Sequence, residues 1–139
     1  MTWPVINPRS RYYHLLRARA AGTIPEQYKD IAERQTTFWQ NDENMIDGNP
    51  MLMLEKGEKV LTPHTLWVQS RPDFMHDYRD NEAPVELNEP ERFIANYRKA
   101  GGHIDIRDIA ANERDAMTTH EMVADFFVTQ TPRISAAAD

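Results

Sequence analysis

The chain has 139 residues, no cysteine and a formal net charge of −6 at pH 7. Its length suits one domain with a core of its own, and 40% hydrophobic against 27% charged residues is ordinary globular composition. Basic side chains dispersed among an acidic excess argue against nucleic acid or an anionic membrane as partner, and the missing cysteines remove disulfides, thiolate metal sites and a cysteine nucleophile.

The absence of cysteine fits a cytoplasmic protein. "MTWPVINPRSR" lacks a basic region followed by an apolar run, so no signal peptide is predicted, and no apolar run approaches the length of a membrane span. In chain order, "WPVI" (3–6) reads as a short strand closed by the Asn7-Pro8 turn. "RSRYYHLLRARAAG" follows as a helix with Ser10 as N-cap and Gly22 as stop. Pro25 opens a second helix, with Tyr28, Ile31, Ala32, Gln35, Phe38 and Trp39 at helical spacing to about Gln40. Two short helical pieces end at Gly48 and Gly57, the second starting at Pro50.

The second half alternates strand and helix. "TLWVQ" (65–69) is almost continuously apolar, as in a strand covered on both faces. Asn88 with Glu91 forms a capping box, and Pro90 lies in the first turn of the helix it opens. That helix stops at Gly101-Gly102, "HIDIRDI" (103–109) alternates as an edge strand, and a last helix carrying Met122, Val123, Phe126 and Phe127 ends before Pro132. This order predicts an α/β fold with few parallel strands and flanking helices. So apolar a strand as "TLWVQ" is expected to need further cover and pairing.

"NPMLMLEKGEKVLTPHTLWVQSRPDFMHDY" resembles the segment of α/β-hydrolases, in the esterase and lipase branch, that leads into the strand bearing the triad acid. "LNEPERFIANYRKAGGHIDI" resembles the helix and last strand that follow it. The resemblance spans roughly residues 3 to 130 and implies a partial α/β-hydrolase fold. Residues 1–8 are then a strand remnant, 9–60 a helical cap-like region, 61–131 the βαβα carboxyl-terminal part of the core, and 132–139 a tail. Ser70-Arg71-Pro72-Asp73 holds the place of the family's Gly-x-x-Asp turn, with serine where glycine is common.

The resemblance makes Asp73 the triad acid, which orients the histidine and stabilises its imidazolium. Its position agrees with the general rule that sites form outside the carboxyl ends of strands. A solvated loop with local pairing to Arg71 and Arg79 is the plainer reading. The family order of serine, acid, histidine leaves His120 as the candidate for the catalytic histidine; a polar histidine on a helix face is the plainer reading. His103 begins the last strand, at the wrong end of the sheet, and His76 is too close to Asp73 along the chain. If Thr118 and Glu121 form a capping box, His120 lies in the first turn of the last helix; if Asp115 is the cap, it lies deeper.

No Gly-x-Ser-x-Gly elbow exists: Ser10, Ser70 and Ser135 lack flanking glycines, and the 5 scattered glycines supply no oxyanion loop. The expectation is therefore a part of an enzyme, inactive alone, awaiting an N-terminal hydrolase half to act on a small ester. The alternative is a non-catalytic, truncated relative that binds a partner or forms a homodimer. No cofactor is expected. Asp73, His76, Asp77 and Asp80 offer hard ligands for a cation but match no calcium-loop spacing. Trp39, Met45, Met51 and Met53 read either as core or as the lining of an acyl pocket.

Overall fold

Two strands, β1 (Thr65–Gln69) and β2 (Ile104–Asp108), pair in parallel with Thr65 opposite Ile104 and Gln69 opposite Asp108. The computed structural model describes residues 4–110 and 116–136, and among these the sheet has two strands. Helices α1 (Pro8–Ala20), α2 (Ile31–Trp39), α3 (Asp42–Asp47) and α4 (Pro50–Glu55) precede it. Helix α5 (Glu89–Lys99) joins the strands, and α6 (Ala116–Ala136) follows them. The fold is mixed α/β with a parallel pair, as the alternating pattern predicted. No helix among the described residues is long and apolar enough to cross a membrane.

The alternation of side chains along β1 explains its composition. Trp67 points into a core with Met51, Phe93, Tyr97 and Ile104, while Leu66 and Val68 point to the other face, against Ile109 and the α6 side chains Met122, Val123 and Phe126. Both faces are thus covered from within the chain, and Leu66, Trp67 and Val68 are all buried. The expected bare face of β1 is filled by α6. A third cluster gathers α1 and α2 around Phe74 and Met75: Leu15, Ala32 and Met75 are buried there, with Tyr28 and Ile31 beside them. Helices α1 and α2 therefore sit on the turn that leaves β1.

Several boundaries follow from local chemistry. Asn88 caps α5 through a complete capping box with Glu91, each side chain meeting the other's backbone N–H. Asn88→Ala should cost about 1 kcal/mol, read as a fall of a few degrees in Tm. At the other end of α5 the Gly101 N–H donates to the Arg98 carbonyl and the Gly102 N–H to the Tyr97 carbonyl, both at 3.0 Å. Gly101 is left-handed at φ 86°, and a Cβ on Gly102 would lie 2.3 Å from the Tyr97 ring, so both glycines are required.

Other expectations are corrected. Residues 4–6 of "WPVI" form no strand, and the Ile6 carbonyl instead accepts from the Met51 N–H at 3.0 Å; Trp3 lies outside the described residues. The cap of α1 is Asn7 rather than Ser10: its side chain accepts from the Ser10 N–H, and Pro8 takes the first helical position. Pro25 opens only a 3-10 turn, Glu26–Tyr28, ahead of α2. Helix α6 continues through Pro132 to Ala136 instead of stopping before it. Residues 137–139 of the predicted tail lie outside the described residues.

Candidate active site

The turn after β1 carries the predicted acid. It passes through Ser70 and a cis Arg71–Pro72 peptide to Asp73, which is 6% exposed. Asp73 Oδ1 accepts from the Met75 N–H at 2.9 Å, while its carbonyl accepts from the amides of His76 and Asp77 at 3.2 and 2.7 Å. These bonds explain the tight turn, in which an Asp side chain takes the place of a backbone acceptor. They also bring His76 Nδ1 to 3.2 Å from Asp73 Oδ2.

That approach has ion-pair distance but not hydrogen-bond alignment, and both ring nitrogens of His76 are buried without a hydrogen-bond partner among the described residues. Such orphaned groups are costly and uncommon, and functional sites are one of the places they persist. A cavity of about 10 Å³, the size of one water, is lined here by Trp67, Ser70, Asp73, His76 and Pro90. It is too small for a substrate. An open depression of about 680 Å³ shares Gln69 and Arg71 with it, bordered by Ile106, Asp108 and Ile109 at the carboxyl ends of both strands. That volume lies within the range of small-molecule sites.

The first-half helices fix the turn from above. His14 Nε2 lies 3.0 Å from the Phe74 carbonyl, and the His14 ring stacks on Tyr78 at 4.1 Å between centroids. Burial lowers the His14 pKa, which the Phe74 carbonyl only partly offsets, so the neutral ring donates Nε2–H there. Met45 and Met51 are buried, Met51 within the core beside Trp67, and Trp39 lies over Gly48. Met45 and Met51 are thus core residues, whereas Trp39 and Met53 are half-buried.

His120 lies on α6 with its side chain exposed, four residues beyond the start of the helix rather than in its first turn. Thr118 is inside α6 and so is not its cap; Asp115, the other cap, and the approach from β2 (111–115) lie outside the described residues. The histidine that meets Asp73 is His76, set aside in the sequence for its proximity. A sharp turn closes that proximity into contact. Of the four hard ligands considered for a cation, Asp73 and His76 meet, while Asp77 accepts from Asn88 Nδ2 at 2.7 Å and Asp80 lies 3.6 Å from Arg92 Nη1.

A second polar cluster ties the halves together behind this turn. Asn49 Nδ2 donates to Asn7 Oδ1 and Asn7 Nδ2 to Glu89 Oε2, both at 2.8 Å. Arg92 donates to Glu89 Oε1 at 3.1 Å and to both oxygens of Glu55 at 2.6 and 2.7 Å. Burial raises the Glu89 pKa despite Arg92, whereas the hydrogen bonds from Arg92 and Asn96 overcome burial at Glu55 and lower its pKa. Compared with known proteins, the chain matches no family model, no curated protein and no solved structure.

Proposed function

We propose that the chain is the carboxyl-terminal portion of an esterase-like serine hydrolase, supplying Asp73 as triad acid and a helical cap, with a small ester as substrate. The observation that carries this reading is the burial of Asp73 at the carboxyl end of a parallel strand, under helices that pack on its turn. His120 is the proposed histidine of the assembled triad; Asp73 would orient its tautomer and stabilise its imidazolium. The serine and the oxyanion donors must come from another segment or chain, because this sequence has no nucleophile elbow.

A second reading is a non-catalytic relative of the fold that self-associates as a homodimer. It is favoured by the local work Asp73 already performs, with Oδ1 capping the Met75 amide and Oδ2 facing His76. Exposed apolar side chains on α6, Phe127 and Val128, would then serve association. The two readings separate by activity. The purified chain alone should not hydrolyse p-nitrophenyl acetate above the buffer rate, and a serine-directed phosphonate should not label it. Addition of the segment bearing Gly-x-Ser-x-Gly should restore turnover and place the label on that segment. Turnover and labelling by the chain alone would overturn the hydrolase-part reading, and continued inactivity of the assembled pair would favour the non-catalytic one.

A further inference from the structure

We propose that His64, His103 and Asp105 form a binding site for a divalent transition-metal ion at the amino end of the sheet. His64 and His103 each stand one residue before a strand, and the parallel register sets them side by side, with the Thr65 N–H bonded to the His103 carbonyl at 2.9 Å. Asp105 is two residues beyond His103, so its side chain emerges on the same face. Its two oxygens meet the two rings: His64 Nε2 lies 3.0 Å from Oδ2, and His103 Nε2 lies 3.2 Å from Oδ1. The ring centroids are 4.3 Å apart at 82°, so both imidazoles converge on the carboxylate edge-to-face.

All the ligand atoms lie within 4.8 Å of one another. Ligands bound to one ion at about 2.0–2.1 Å stand at most about 4 Å apart, so small side-chain rotations suffice to close the set. The outer contacts fit as well. His64 Nδ1 lies 2.8 Å from Gln130 Oε1, an acceptor that can hold Nδ1–H while Nε2 faces Asp105 as the ligating nitrogen. Phe126 backs the His64 ring edge-on at 5.1 Å.

Two imidazoles and one carboxylate select zinc, cobalt or nickel over calcium and magnesium, which prefer oxygen ligands throughout. His103 is 69% exposed, so the remaining coordination positions face solvent and take water or a donor from another molecule. Bound there, the ion joins the leads into β1 and β2 to α6 through Gln130. The site lies at the opposite end of the strands from Asp73 and does not depend on the hydrolase reading.

Equilibrium dialysis of the metal-stripped chain against ZnCl2 should give one ion per chain, and CoCl2 should produce visible ligand-field absorption. His103→Ala and Asp105→Asn should each lower affinity by more than tenfold. Gln130→Leu, which removes the outer acceptor, should lower it about 10-fold or more. His120→Ala should bind as the parent does. His103 is exposed enough for its variant to keep the parent's circular dichroism. Less than stoichiometric zinc, or binding unchanged by both His103→Ala and Asp105→Asn, would overturn the proposal.

Discussion

Replacing Arg92 with methionine should destabilise the fold by about 3–5 kcal/mol, a large share of the roughly 5–15 kcal/mol that holds a domain together. The Arg92 side chain is 5% exposed and lies among Glu55, Glu89 and Asp80, with Glu89 only 1% exposed. Methionine keeps much of the volume but leaves Glu89 with Asn7 as its remaining side-chain donor and removes both hydrogen bonds from Arg92 to Glu55. The cost is the stranded carboxylates rather than a hole. Thermal unfolding should show a Tm fall on the order of 10–20 °C; a fall of only a degree or two would mean that the cluster is solvated.

Glu89→Gln should be milder, because the amide oxygen still accepts from Asn7 and Arg92 keeps both bonds to Glu55, although the amide NH2 then faces Arg92 Nη1 in place of an acceptor. The pH dependence has a definite sign. A raised folded-state pKa gives a contribution present below the unfolded value of 4.5 and lost as pH rises through the folded value. Glu55, with a lowered pKa, gives the opposite: stability present above its unfolded value and lost as pH falls. Glu89→Gln should therefore flatten the decline of stability on the alkaline side of 4.5. Denaturant midpoints across that range would check it.

Local features of this fold were legible where one residue type has one physical use. "TLWVQ" reads as doubly covered because both faces of β1 meet apolar clusters. Asn88-x-x-Glu91 and Gly101-Gly102 mark the ends of α5 because the orphaned backbone groups there need those side chains, or none. Ser10 and Asn7 are both good caps, and only Pro8, suited to the first helical position, decides between them. "WPVI" has strand composition, but the bond between Ile6 and Met51 is a tertiary choice.

The place of Asp73 in the chain was legible, and its contacts were not. Asp73 after an apolar strand is a sequence signal; its contact with His76 depends on a turn whose geometry the residue order does not specify. Asn7 and Glu89 meet across 82 positions, and His64 and Asp105 across 41. For the histidines a usable signal existed: His64 just before one predicted strand and His103 at the start of the other, with Asp105 two residues after His103, become a cluster once the parallel register is known.

On the proposed hydrolase reading, the largest functional effect should come from Asp73→Asn once the chain is combined with a segment that supplies the serine. An asparagine amide in place of the carboxylate no longer favours the histidine tautomer that accepts the serine proton, and it cannot stabilise the imidazolium. A loss of about 10⁴ in kcat is therefore expected with KM little changed. Folding is a separate matter, because the amide oxygen of the substituted side chain can still accept from the Met75 N–H, the bond at 2.9 Å that shapes the turn. Single-turnover acylation by a chromogenic ester, with the variant's circular dichroism unchanged, measures this directly. A drop of several orders of magnitude in the acylation rate is the predicted result. Acylation within a few-fold of the parent would contradict the account and leave Asp73 as a residue that only shapes its turn.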